Sequence, residues 1–525
     1  FINFCALSTA KGMIVKMKMM KRFLIGFACV VVGTASLVGL STVASPTTGL
    51  TISAVRTSTE QIKAPKYIFT FIGDGMSSVQ LNAARIYKGV NEQGGINLGE
   101  LTTTSFPVVG SATTQDATSF CPDSASTATA ISSGKKTHSG VIGYEADKTT
   151  KTINISELLK EKGYKIGIVS SVSIDHATPA AFYAHEVSRS NMYNIALQLA
   201  ESNFDYFAGG GLVQPTGKNK DQKDAYEIIK ENGYHIVNTK EDILNLNNES
   251  GKIYAINPDL QDSQAMYYNL DASEDSIKLK ELVQKGIDVL DNKKGFFMMV
   301  EGGKIDWAGH ANDAMANIQD VIALDEAINV AVEFAKAHPD ETLILVTGDH
   351  ETGGMTIGQA TTGYDTTFDI LNNQEMSYVE FDKRLAAYKE TVGVDAKLED
   401  VMTLIEEEFG LISKEDIRAN QNAYKNLVLT DYEMKKLAAA FEETMKEKTE
   451  RQTGEEATAL YGGYEPLTVT LTHILNNKAG IGWTSYSHTG VPVPVYAMGQ
   501  GETLFEGSYD NTEIFNKLAS LCDVK

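Results

Sequence analysis

Five short apolar runs, each passing directly into polar residues, constrain this chain more than any other feature. They occupy residues 67–72, 165–170, 296–300, 342–347 and 494–498, and longer stretches with helical periodicity lie between them. That alternation predicts a parallel sheet covered by helices on both faces. The first run leads into Gly73-Asp74-Gly75, the third into Glu301-Gly302-Gly303 and the fourth into Gly348-Asp349-His350. In an open α/β sheet the carboxyl ends of the strands form the ligand crevice. Three carboxylates, Asp74, Glu301 and Asp349, are therefore expected to converge there.

The amino end does not fit this pattern. Lys16, Lys18, Lys21 and Arg22 precede an uncharged, largely apolar run over residues 23–40, which is followed by Thr42-Val43-Ala44-Ser45. This is the layout of a secretory signal with its cleavage region. Export to the periplasm, cell envelope or extracellular space is expected, with membrane association only through an uncleaved leader. Met13, Met17, Met19 and Met20 all precede the apolar run, so the first dozen residues are expected to lie upstream of the signal.

The full chain carries 46 Lys+Arg against 68 Asp+Glu, a formal charge of −22, and loss of residues 1–44 deepens this to −27. Such a surface has no global attraction for nucleic acid, and no nucleic-acid-binding module is expected. Beyond the leader the cysteines are Cys121 and Cys522, so at most one disulfide is possible and stability must come from the core.

Residues 361–466 differ from the rest: they are densely charged, with little β character. Leu398, Val401, Met402, Ile405 and Phe409 recur at helical spacing, and Thr430-Asp431-Tyr432-Glu433 forms a capping box ahead of a Leu437, Phe441, Met445 stripe. The expected organisation is a leader over 1–44, a linker over 45–65, an α/β core over 66–360 and 467–525, and a helical insertion over 361–466. That insertion should pack on its own stripes or on a partner chain.

Candidate chemistry clusters at the strand ends. Asp306-Trp307-Ala308-Gly309-His310 sets a carboxylate and an imidazole at i and i+4, one above the other on a helical turn, able to grip one cation. Alone, that spacing is more often a surface ion pair. Glu301 five residues upstream, Asp349-His350 at another strand end, and Asp74 between glycines change the balance. Mixed His/Asp ligation suits zinc or a similar transition ion, and an all-oxygen set suits Mg²⁺.

Ser124 is the nucleophile candidate. Pro122-Asp123-Ser124-Ala125-Ser126 opens a run of small residues read as a tightly packed helix. An Asp or Ser there is ordinarily an N-cap. A hydroxyl at the positive helix end also suits developing negative charge, and a metal bound at Asp349 and His350 could hold its alkoxide without a histidine base. Arg189, the basic residue near these motifs, has a fork that matches phosphate oxygens, but a lone Arg in a helix is ordinarily a surface residue, and its assignment to substrate rests on the family resemblance that follows.

Taken together, Ile72-Gly73-Asp74-Gly75-Met76, Asp123-Ser124-Ala125, His176-Ala177-Thr178-Pro179-Ala180-Ala181, Val300-Glu301-Gly302, Asp306-Trp307-Ala308-Gly309-His310, Gly348-Asp349-His350-Glu351-Thr352-Gly353-Gly354 and His488-Thr489-Gly490 resemble the alkaline phosphatase family, in its order. The resemblance implies a three-layer α/β sandwich with a central, mostly parallel sheet and a phosphomonoester hydrolase acting through a phosphoserine on Ser124. It implies one zinc site from Asp306, His310 and His488, a second from Asp74, Asp349 and His350, and a magnesium site from Asp74, Thr178 and Glu301. Arg189 is implied as phosphate clamp, and a homodimer as the assembly.

His176 and Trp307 stand where the best-studied enterobacterial members have an aspartate and a lysine, and both are expected near the substrate. His176 weakens a hard oxygen site, and Co²⁺ is an acceptable replacement for zinc or magnesium. His138, His185, His235, His338 and His473 match no ligand motif. A phosphodiesterase or sulfatase of the same superfamily is the rival enzyme, although Cys121-Pro122-Asp123-Ser124 lacks the C-x-P-x-R order of sulfatases. A non-catalytic envelope binding protein is the rival from another class.

Overall fold

The computed structural model describes residues 63–392 and 396–524, so the expected leader and most of the linker lie outside the described residues. The strands are β1 (Tyr67–Gly73), β2 (Val108–Thr113), β3 (Lys165–Ser170), β4 (Tyr206–Gly209), β5 (Tyr234–Val237), β6 (Lys252–Ile256), β7 (Phe296–Gly302), β8 (Thr342–Gly348), β9 (Glu351–Thr352), β10 (Thr356–Ile357), β11 (Ile481–Gly482), β12 (His488–Thr489), β13 (Val493–Gly499) and β14 (Gly507–Asp510). Ten of them form one sheet in the order β14-β2-β13-β8-β1-β7-β3-β4-β6-β5. β13 runs antiparallel to both its neighbours, and every other pairing in that sheet is parallel. The five expected strands are all present, joined by β2, β4, β5, β6 and β14, which the sequence pattern did not single out.

Alternation along the central strands feeds two cores. Phe69, Phe71, Met298, Val300, Ile344 and Val346 point to one face, under helices Ser78–Gln93, Leu279–Leu290 and Ala314–Ala337. Ile68, Ile72, Phe297, Met299, Leu343 and Leu345 point to the other, under helices Ser124–Ser133, Met192–Glu201 and Thr512–Leu521. Each such fully buried side chain contributes about 1.5–3 kcal/mol, which is why these strands are apolar at most positions on both faces.

Register levels the crevice. Gly73 of β1 lies opposite Gly302 of β7 and Gly348 of β8, so the three central strands end side by side. A side chain at Gly348 would meet the Met76 carbonyl oxygen at 1.9 Å, so glycine is required where the chain after β1 crosses back.

Between β10 and β11 the described chain carries helices Tyr378–Val392, Leu398–Phe409, Asp431–Met445, Glu455–Tyr461 and Pro466–Ala479. The Thr430–Glu433 capping box is formed. Val401, Ile405, Phe409, Leu437 and Phe441 join the same buried cluster as one face of the sheet, so these stripes share the main core. Cys121 is exposed, Cys522 is buried, and they are not bonded. No helix among the described residues is long and apolar enough to cross a membrane.

Candidate active site and metal centre

The crevice collects side chains from strand ends, helix starts and one short ribbon. Asp74 follows β1, Glu301 is near the end of β7, and Asp349-His350 follow β8. Helix Lys304–His310 starts straight after β7 and carries Asp306 and His310 on one face. His488 arrives on β12, which pairs antiparallel with β9, so that His488 lies opposite Thr352. Three groups have ligand atoms within 4.8 Å of one another: Asp306, His310 and His488; Asp74, Asp349 and His350; and Asp74, His176 and Glu301.

The first group has a definite tautomeric state. His310 Nδ1 lies 2.6 Å from the Tyr486 carbonyl oxygen and His488 Nδ1 lies 2.6 Å from that of Pro122. A carbonyl only accepts, so each Nδ1 carries the proton and each Nε2 presents a lone pair. Those two Nε2 atoms are 3.1 Å apart, and Asp306 reaches them at 3.4 and 3.5 Å. Two lone pairs and a carboxylate pointing at one another need a cation between them, and the N/N/O set suits zinc or cobalt. Burial opposes ionisation of Asp306; without an ion, it is protonation of the His310 and His488 rings that overcomes this and holds the carboxyl well below its ordinary range, a positive charge that a bound cation replaces.

The second group adjoins the candidate nucleophile. His350 Nε2 is 3.3 Å from both Asp74 Oδ1 and Asp349 Oδ2, and 3.1 Å from Ser124 Oγ. Ser124 is the first residue of its helix, capped by Asp123, whose side chain accepts from Ser126 N. Asp349 Oδ1 accepts from Gly75 N and His350 N, and Oδ2 from Thr127 Oγ1. Burial, then Asp306, pushes the Asp349 carboxyl up to about 6. Burial, then Asp349 and Asp306, raises Asp74 well above the carboxylate range.

The two groups are linked. Thr352 Oγ1 donates to Asp306 Oδ1 at 2.5 Å and lies 3.3 Å from His350 Nδ1, so it accepts from that ring and fixes the His350 Nε2 lone pair toward Asp74 and Asp349. The His350 and His488 rings stack at 3.6 Å between centroids. Sequence reasoning gave Thr352 no role. Its neighbour Glu351, buried, accepts from Gln80 Nε2, Met355 N, Gly354 N and Thr489 Oγ1, which pins β9 to β12.

The third group is incomplete. Thr178 Oγ1 donates to Asp74 Oδ2 at 3.2 Å and Ser170 Oγ to Glu301 Oε2, but buried Glu301 Oε1 has no hydrogen-bond partner. Burial chiefly lifts the Glu301 carboxyl to about 7. A buried carboxylate oxygen without a donor fits a hard cation. His176 Nε2 takes a hydrogen bond from Arg189 at 3.1 Å, so its proton sits on Nδ1, 3.9 Å from Glu301 Oε1. Burial, then Arg189, pushes the His176 ring down to about 3, leaving it neutral.

Arg189 is held as a fork, with NH1 on Asp123 Oδ2 at 3.0 Å and NH2 on His176. Trp307 meets His176 edge-on with centroids 5.9 Å apart, and Lys304 Nζ lies 4.9 Å from the Trp307 ring. Trp307 therefore buttresses His176. His138, His185, His235, His338 and His473 fall in none of the three groups.

A sequence model of the family described as alkaline phosphatase matches residues 65–524. Alkaline phosphatase 3 of Bacillus subtilis (strain 168) is 32% identical over 462 residues, 86% of this chain and 87% of that protein. The cold-active alkaline phosphatase of a psychrophilic Shewanella superposes with a TM-score of 0.69 at 27% identity, over 87% of this chain and 99% of that one. A histidine-to-aspartate variant of the alkaline phosphatase from the Antarctic bacterium TAB5, with Mg bound in its M3 site, gives 0.58 at 26% identity over 89% and 100%.

Proposed function

The chain belongs to the alkaline phosphatase family and is a metal-dependent phosphomonoester hydrolase, and from that premise we propose which of its residues do the work. Ser124 is the nucleophile and Arg189 the phosphate clamp. Asp306, His310 and His488 hold one zinc ion, Asp74, Asp349 and His350 a second, and Asp74, Thr178 and Glu301 a magnesium ion, with Co²⁺ an acceptable substitute. The observation that carries this reading is the pair of Nε2 lone pairs 3.1 Å apart, each imidazole locked by a carbonyl on its other nitrogen.

When bound, the divalent ions supply Lewis acidity toward the oxygens that enter and leave phosphorus. The chain does the rest. Ser124 Oγ, at a helix N-terminus, bonds to phosphorus as the bond from phosphorus to the alcohol oxygen breaks, and the alcohol leaves with a proton. Water then adds to phosphorus as its bond to Ser124 Oγ breaks, releasing inorganic phosphate and restoring the hydroxyl. Asp123 and His176 fix the orientation of the Arg189 guanidinium plane across the site, leaving three of its five donors for phosphoryl oxygens.

His176 shapes the third position. With its proton on Nδ1 it offers a donor where an acidic residue would offer a lone pair, so magnesium should bind weakly there. The magnesium-bound histidine-to-aspartate TAB5 enzyme supports that reading. We further propose that the protein is exported by its leader, that residues 361–466 form a helical insertion in the catalytic core, and that the working unit is a homodimer acting on small phosphomonoesters.

The test is hydrolysis of a monoester, a diester and a sulfate ester before and after chelation. The expected result is strong preference for the monoester, lost on chelation and restored by zinc. Preference for the diester or sulfate, or full activity without divalent ions, overturns the assignment.

A further inference from the structure

Two residues beyond His310 the chain turns through a conformation that few side chains tolerate. Asn312 has φ +52° and is buried, and asparagine is one of the residues that enters this left-handed region. Its amide nitrogen donates to two carbonyls, Gly309 O at 2.8 Å and Ser485 O at 2.9 Å. The first ends the helix carrying Asp306 and His310. The second lies on the segment leading to His488. Asn312 Oδ1 accepts from His473 Nε2 at 2.9 Å, and the Asn312 carbonyl accepts from Asn476 Nδ2 at 2.8 Å. A flipped amide would set Oδ1 against two carbonyls, so the partners fix its orientation.

Ser485 precedes Tyr486, whose carbonyl orients His310. The Tyr486 ring packs on Gly462 so closely that a side chain there would meet it at 2.2 Å, and its hydroxyl donates to Leu460 O at 2.7 Å. The Tyr486 carbonyl is thus fixed from one side by the helical segment and from the other by Asn312 acting through Ser485. We propose that Asn312, backed by His473 and Asn476, is a positioning residue that sets where the His310 and His488 Nε2 atoms meet. It thereby sets the affinity and geometry of the divalent ion held with Asp306. The inference rests on the metal reading of that same set, and it assigns a purpose to His473, which matches no ligand motif.

The experiment titrates Zn²⁺ against a chromophoric chelator and records the visible d–d spectrum of the Co²⁺-loaded protein for five variants. Asn312→Gly keeps the left-handed backbone and removes the amide. The expected result is about 10–100-fold weaker metal binding at the Asp306, His310 and His488 set, a changed Co²⁺ spectrum, and unchanged binding at the Asp74, Asp349 and His350 set. Asn312→Asp, which loses both donors, should behave the same way. His473→Gln keeps a donor toward Asn312 Oδ1 and should retain most of the affinity, whereas His473→Leu should not, and this pair decides the matter if the Asn312 variants fail to fold. Wild-type affinity and spectrum in Asn312→Gly, equal weakening of both sets, or indistinguishable His473 variants would overturn the proposal. His310→Ala separates the two readings: if it keeps the ion, the metal assignment itself fails, and if it alone loses the ion, only the role of Asn312 fails.

Discussion

Replacing Glu301 by glutamine should stabilise the metal-free protein, and only at neutral to alkaline pH. Glu301 is fully buried, with one carboxylate oxygen bonded by Ser170 and the other without a donor. Burial chiefly moves its carboxyl from the ordinary 4.5 to about 7. A raised pKa in the folded state means that folding takes up a proton. The stabilising contribution of the protonated group is complete below about pH 4.5, declines as pH rises, and is lost above about 7. That difference corresponds to roughly 3 kcal/mol, with the buried carboxylates around it titrating together. Glutamine keeps the acceptor for Ser170 and never ionises. Urea unfolding of chelated wild type and Glu301→Gln at pH 5 and pH 8.5 should therefore show the variant gaining on wild type by about 3 kcal/mol at the higher pH. With divalent ions present the order should reverse, because wild type then has the additional ligand. A stability difference that stays constant between the two pH values, or that favours wild type in the metal-free state at pH 8.5, refutes the argument.

Four further outcomes are expected. Ser124→Ala should keep its bound metal while losing most phosphomonoester turnover, measured by metal analysis beside steady-state kinetics; unchanged turnover removes Ser124 from the mechanism. The rate at saturating substrate should rise from pH 7 to 9, as oxygen nucleophiles deprotonate, and a falling profile counts against the scheme. Thr352→Val removes the hydroxyl shared by Asp306 and His350 and should weaken divalent binding by at least about tenfold, with Thr352→Ser restoring it; chelator competition reads both. His176→Asp should tighten Mg²⁺ binding and make activity respond to added Mg²⁺, and insensitivity to Mg²⁺ would contradict the third-site assignment.

Much of the frame was legible because its signal lies in side chains. The apolar runs of β1, β3, β7, β8 and β13 show themselves by hydrophobicity, and Asp74, Glu301 and Asp349 by following such runs with glycine beside them. β4, β5 and β6 escaped because they are four or five residues long and lie toward one end of the sheet, where a short run carries little pattern. The reversed direction of β13 leaves no mark in composition, since direction is decided by the path of the chain and not by residue type. At the site, the side chains that come together were readable from their chemistry, but their supports were not. The Tyr486 and Pro122 carbonyls that set the tautomers of His310 and His488 belong to the backbone, which every residue possesses. Thr352 and Asn312 act through neighbours brought together by β9, β12 and the helix at Pro466–Ala479, a proximity that spacing along the chain does not encode.

The place of β13 fixes when the sheet can close. It is among the last strands to leave the ribosome, yet it sits inside the sheet, between β2 and β8, and His488 lies just ahead of it. Until that segment emerges, β8 keeps one edge unpaired and the set around Asp306 lacks its third member. On the proposed assignment of His488, a nascent chain is therefore latent until that slot closes, however well its earlier strands have folded.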